Sequence, residues 1–251
     1  MRKLYFLIVA ILITLSSYSQ KEIYGSSDME MIFSFSKITQ NGNDVNSGMR
    51  YTWWYNVHKL INYDVNNNFG VYLGLGLKNI GFGTGADTVY FHGDKKYYSR
   101  QSEVARLDKV KQRTYSLGVP LGFKFGNFDK GYYFFLGGEY EYAFHYKEKV
   151  WVNNEKRKYS EWFGTEITTF LPSVFAGFKF KGGTALKFTW YLDNFVNQGH
   201  NAQLFIDDNT PPQALKPYRN TEVQVFYVSI SFLIDKKTIE KIKEENPKMD
   251  M

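Results

Sequence analysis

Thr184-Ala-Leu-Lys-Phe-Thr-Trp-Tyr-Leu-Asp193 alternates between apolar and polar residues for most of its length. Leu186, Phe188, Trp190 and Leu192 fall on one face, and Lys187, Thr189, Tyr191 and Asp193 on the other. Successive side chains of a β-strand point to opposite faces, so a period of two marks a strand. The length matches the ~9–11 residues that a tilted strand needs to cross a bilayer.

The same pattern recurs along the chain and predicts eight strands: residues 29–38, 49–59, 69–82, 113–125, 132–147, 168–180, 184–193 and 222–234. In 132–147 the outer set is Tyr132, Phe134, Leu136, Tyr140, Tyr142 and Phe144. The inner set holds Gly137, Glu139, Glu141, Ala143 and His145. In 113–125, Tyr115, Leu117, Val119, Leu121 and Phe123 alternate with Ser116, Gly118, Pro120, Gly122 and Lys124. Glycine and serine on the second face suit a narrow interior. A soluble barrel would reverse the polarity, so the fold class expected is all-β, a closed antiparallel eight-stranded transmembrane barrel. Pro120 and Pro172 interrupt two strands, and each predicts a bulge, because proline removes a ladder hydrogen bond.

Connections 60–68, 126–131 and 181–183 are short. Connections 83–112, 148–167 and 194–221 are long and rich in charge, Asn and Pro, while 39–48 is intermediate. Short turns alternating with long loops is the outer-membrane pattern, and an even strand number puts both termini on the periplasmic side.

Residues 1–19 read as an export signal. Arg2 and Lys3 precede an apolar run from Leu4 to Leu15, and Ser17 and Ser19 stand at the −3 and −1 positions of a cleavage site. The expected domains are therefore this signal, a barrel over 20–234 and a charged periplasmic tail over 235–251. Loss of the two basic residues takes the formal +6 charge to +4. No stretch reaches the ~18 apolar residues of a transmembrane helix. The absence of cysteine excludes a lipid-anchored cysteine, disulfides and thiolate metal sites. Aromatic residues make up 19% of the chain although its mean hydropathy is negative, −0.40. An aromatic outer band around a polar interior accounts for both. Lys and Arg are dispersed with no basic tract, which argues against nucleic acid and for a solvated or lipopolysaccharide-facing surface.

The segments Tyr115-Ser-Leu-Gly-Val-Pro-Leu-Gly-Phe123, Pro172-Ser-Val-Phe-Ala-Gly-Phe178 and Gly74-Leu-Gly-Leu-Lys-Asn-Ile-Gly-Phe82, with Ser19-Gln20 ending the signal, resemble those of small outer-membrane β-barrel proteins of Bacteroidetes. The resemblance implies a barrel of the eight-stranded OmpA/OmpX type without a periplasmic domain, and no specific activity. Such barrels often end at an aromatic residue, whereas Phe232 here is followed by the tail.

The inward ionisable residues are Glu30, Arg50, His58, Lys78, Lys124, Glu139, Glu141, His145, Lys187 and Asp193. Both signs occur, and charge inside a membrane protein is costly unless paired, so a structural lumen network of Glu30, Arg50, Lys78, Lys124, Glu139, Glu141, Lys187 and Asp193 is expected. Arg50 is the expected partner of Glu139 and Glu141. Two carboxylates on one face also suit acid–base chemistry, but in mid-barrel they would be closed off from substrate. The four histidines show no metal-ligand spacing. His145 with Ser160 in the following loop is the nearest approach to a base and nucleophile for lipid A modification, and no strand presents such a pair on the lipid side. Asp207 and Asp208 suit a solvated turn better than a cation site. Gly74-Leu-Gly-Leu-Lys-Asn lies in a strand with no helix after it, so it is no phosphate loop. No enzyme, cofactor or metal is expected. The role expected is structural or one of surface interaction through the long loops. A narrow channel and a lipid A-modifying enzyme are the alternatives. The partners expected are outer-membrane lipid and lipopolysaccharide, with a protein partner conceivable at the loops or the tail.

Overall fold

The computed structural model describes residues 22–53, 56–85, 90–92, 96–98, 107–152, 154–204 and 213–235. The expected signal, the tail beyond 235, Asp207 and Asp208 lie outside the described residues.

Eight strands form a ring: β1 (Glu22–Gln40), β2 (Val57–Asn66), β3 (Phe69–Gly85), β4 (Leu107–Asn127), β5 (Tyr132–Val152), β6 (Phe170–Lys179), β7 (Thr184–Tyr191) and β8 (Thr221–Asp235). Each pairs antiparallel with the next. The ring closes where β8 pairs with β1, from Ser26↔Asp235 to Gln40↔Thr221. Closure removes the free strand edges that an open sheet would expose.

The expected alternation holds on the outside. Leu186, Phe188, Trp190 and Leu192 are exposed, while Lys187, Thr189 and Tyr191 are buried. Leu73, Leu75 and Leu77 on β3, Leu117 to Phe125 at alternate positions of β4, and Tyr132 to Tyr142 on β5 extend the same exposed apolar belt. A large contiguous apolar surface of this kind marks contact with a membrane or a partner.

The first two connections differ from expectation, and the long one after β5 holds a strand, Glu155–Trp162, paired back onto β5. Asn41 and Gly42 both have positive φ, 49° and 80°, so β1 turns back in two residues instead of a ten-residue loop. Asn-Gly suits this turn because both central positions of a type I′ turn need φ > 0. The returning chain pairs with β1 through Asn43–Val45 and Arg50–Thr52. At the other end the expected loop 60–68 is strand up to Asn66, with Asn67 and Asn68 as the turn. Asn62 and Asp64 face inward there, and their polarity disguised the strand.

The prolines make no bulge. Pro120 stands in register opposite Glu139, and the β3–β4 ladder merely skips between Leu73↔Leu121 and Gly76↔Gly118. Pro172 sits where the β6–β7 ladder stops: its carbonyl accepts from Leu192 N–H at 2.9 Å, beyond the pair Ser173↔Tyr191. A strand residue's N–H and C=O point the same way, so the missing donor falls at a ladder end. A bulge lies instead between Ala143 and His145 on β5, with further register shifts between Asp64 and Asn66 and between Trp151 and Val152. The bulge at Ala143 inverts the alternation above it, so Tyr146, Glu148 and Val150 are buried and His145 is not. The expected inward His145 is thereby corrected. Its ring sits against Trp162 at 4.5 Å and Tyr115 at 5.6 Å.

Candidate functional site: the filled lumen

The interior has three layers. At the end of the short turns, Leu60, Tyr72, Phe128, Tyr133, Phe135 and Phe175 pack into an apolar floor. At the opposite end Ile80, Phe82, Leu171, Tyr191, Phe195 and Tyr227 belong to a larger apolar cluster. The connections after β5 and β7 help to build it by folding inward. Ile167 bridges to Val196, Thr168 N–H donates to Phe195 O at 3.0 Å, and the Phe195 ring meets Phe82 edge-on at 5.9 Å. These two apolar layers depart from a uniformly polar interior.

Charge is concentrated between them. Lys78 on β3 donates to Glu139 Oε2 at 2.5 Å and Glu141 Oε1 at 2.9 Å, both on β5. Glu141 also accepts from Tyr191 OH at 2.7 Å and from Ser116. Lys187 on β7 donates to Glu30 on β1. His58 on β2 has Nδ1 2.7 Å from Asp28 and Nε2 3.4 Å from Glu139, so both ring nitrogens face carboxylates. An ion pair held in a low-dielectric interior needs such additional hydrogen bonds to offset its desolvation. Below this layer Lys124 pairs with Asp64 at 2.6 Å, and it donates to Asn62 Oδ1 and Tyr24 OH at 3.0 and 2.9 Å.

The small inward residues make room for this chemistry. A Cβ on Gly76 would lie 2.2 Å from His58 Cδ2, and one on Gly118 would lie 2.2 Å from Glu139 Oε1. A cavity of about 40 Å³ remains beside Asp28, Asn62 and Tyr72, on the scale of a few waters at most.

Of the expected network, Glu30, Lys78, Lys124, Glu139, Glu141 and Lys187 are buried. Two members do not fit. Asp193 is exposed and lies past the end of β7. Arg50 is buried, but its guanidinium bonds Asn79 Oδ1 at 2.8 Å and not the glutamates, whose cation is Lys78. The registers explain the exchange: Lys78 lies opposite Ser116, and Ser116 opposite Ala143, the next inward position after Glu141. Arg50 sits higher, opposite Ser34. Asp28 was missed because it precedes the first alternating stretch. Asp64 and Asn62 were missed within the supposed loop.

Asp28, Glu30 and His58 bring three potential metal-ligand atoms within 4.8 Å of one another, a grouping that sequence spacing does not announce. The Lys187 ammonium on Glu30 already supplies a cation there. Ser160 stands opposite Lys147, whereas His145 stands opposite Trp162.

No family model matches the chain, and no curated protein matches it. Among solved structures it is similar to the attachment invasion locus protein Ail of Yersinia pestis. That match has 13% identity, 84% of this chain and 99% of that chain covered, and a TM-score of 0.31. It is also similar to Neisserial surface protein A, with 11% identity, 86% and 99% coverage and a TM-score of 0.34. The outer membrane protein OprG of Pseudomonas aeruginosa gives 10% identity, 84% and 95% coverage and a TM-score of 0.34.

Proposed function

We propose that the chain is an outer-membrane barrel with a sealed lumen, acting as a scaffold that works through its outer surface and long loops. The observation that carries this reading is Lys78, with no exposed surface, held by Glu139 and Glu141 between two apolar layers. A permeant solute would have to break that arrangement and also displace the inward-folded Phe195. The exposed belt of Leu, Phe, Trp and Tyr supports placement in lipid, and the filled, charge-paired centre is what a narrow eight-stranded barrel accommodates. Residues 1–19 would deliver the chain and be removed before Gln20.

Planar-bilayer recording of the purified protein tests the sealed lumen. No steady single-channel conductance is expected, and lipid A extracted from an expressing strain should keep its mass. Reproducible conductance steps would overturn the scaffold in favour of a channel. Lipid A modification abolished by His145→Ala would overturn it in favour of an enzyme.

A further inference from the structure

The ring wall is incomplete at one level. The chain returning from β1 meets β3 at Ser47↔Thr84 and Gly48↔Gly83, and again from Val57↔Leu77 downward. Between these, Arg50–Thr52 pair with β1 alone among the described residues. Side chains span the break: Asn79 N–H donates to Asn56 Oδ1 at 2.7 Å, and Arg50 donates to Asn79 Oδ1. A cleft of about 250 Å³ opens here, and its ionisable lining among the described residues is Arg50, Lys111, Arg113, Lys147 and Lys149, with Tyr51 and no carboxylate.

The cations are set by register. Arg113 lies opposite Gly81 and Lys111 opposite Gly83, so neither meets a side chain directly across on β3. On the other side Arg113 faces Lys147 and Lys111 faces Lys149. Like charges directly opposite on a sheet destabilise it. Lys111 lies over the Trp151 ring at 5.9 Å and Arg113 over Tyr115 at 5.3 Å, contacts that leave the charge unneutralised. The Nε of Arg113 is buried without a hydrogen-bond partner, and Arg50 is more than nine-tenths buried. Burial and the nearby cations Lys109, Arg50 and Lys156 hold the Lys111 ammonium below its ordinary pKa. Burial with Lys156, Arg113 and Lys147 does the same to Lys149. Such a concentration of one sign calls for a counter-anion.

The height of the cleft identifies the source of that anion. The outward residues of β4 run Phe125, Phe123, Leu121, Val119, Leu117 and Tyr115, and then become Arg113, Lys111 and Lys109. On β5 the exposed Tyr140 and Tyr142 are followed, above the bulge, by Lys147 and Lys149. The cleft thus begins where the apolar belt ends, on the side wall and not on the loop tips. The geometry points to a binding site for the phosphate groups of the outer leaflet's phosphorylated glycolipid, with Arg50, Lys111, Arg113, Lys147 and Lys149 as its donors. Guanidinium forks and ammonium groups both suit phosphate oxygens. The assignment rests on the proposed placement of the belt in lipid.

Binding to purified protein in detergent micelles tests it, with bis-phosphorylated lipid A, dephosphorylated lipid A and inorganic pyrophosphate as probes. Bis-phosphorylated lipid A should bind wild type and raise its unfolding temperature. Dephosphorylated lipid A and pyrophosphate should each bind at least about tenfold more weakly, the scale of one lost charge-assisted contact. Replacing Lys111, Arg113 and Lys147 by Gln should remove the phosphate preference, while Lys130→Gln, in the short turn at the opposite end, should retain it. Equal affinity of wild type for the two lipids would overturn the site, and this comparison needs no variant to fold. Pyrophosphate or a soluble polysulfated saccharide binding as tightly as lipid A would overturn the lipid source. Loss of the site in a protein that still inserts and does not conduct would leave the sealed scaffold standing.

Discussion

Lys78 concentrates the residue-scale argument, because a fully buried ammonium holds two carboxylates that, among the described residues, share no other paired cation. Lys78→Met should destabilise the protein by about 3–5 kcal/mol, the usual cost of leaving buried charge unpaired. Urea unfolding of the refolded protein in micelles measures this, and adding Glu141→Gln should recover part of the loss. An unchanged midpoint would mean that the two glutamates are stabilised without the lysine. The inward direction of Lys78, Glu139 and Glu141 was legible from the period of two alone. Their pairing was not, because it depends on how far each strand is displaced along its neighbour, and alternation fixes the face without fixing the height. Arg50 was misassigned for that reason. Asp193 was misassigned because alternation continues in the sequence for two residues after β7 has ended at Tyr191.

At the scale of elements, strand centres read more clearly than strand ends. Phe188 projects from the middle of β7 into the belt, so Phe188→Lys should cost roughly 2–4 kcal/mol of folding into vesicles, with Phe188→Leu tolerated. A cold gel-shift assay after refolding reads both, and equal yields would remove the belt from the lipid. The bulge between Ala143 and His145 had no sequence mark, since Phe144 and Tyr146 are both aromatic and either phase looks apolar. The inward-folded segment around Ile167 was hidden in a loop assignment. It carries its own prediction. Burial, reinforced by the nearby Glu161 and Glu148 carboxylates, raises the Glu166 carboxyl to about 7. A carboxyl whose pKa is raised on folding favours the folded state when neutral. Its contribution is complete below the ordinary carboxylate range and is lost as pH rises through about 7. The amides of Thr168 and Asn197, which bond Phe195 O and Glu166 O, should therefore lose protection between pH 5 and 8, roughly the span of that titration. Hydrogen exchange corrected for intrinsic rate measures the loss, and Glu166→Gln should abolish the pH dependence. A pH dependence unchanged in that variant would assign it elsewhere.

For the whole molecule, the closed ring follows from eight alternating segments and an even count, and both are legible in the sequence. What lay beyond sequence was the filling: apolar layers above and below a charged centre, with the Lys124–Asp64 pair beneath it, assembled from residues as far apart as Glu30 and Lys187. The central claim is that the outer face of this ring meets lipid while the inner face is closed to water. The chain has no cysteine, so single cysteines can be placed one at a time along β7 at Leu186, Lys187, Phe188, Thr189 and Trp190. With the protein folded in vesicles and each cysteine carrying an environment-sensitive fluorophore, collisional quenching by lipid-borne nitroxides should alternate. Positions 186, 188 and 190 should be quenched strongly, and 187 and 189 should be quenched weakly or resist labelling. Uniform quenching along the segment, or access of water-soluble quencher to positions 186, 188 and 190, would contradict the account.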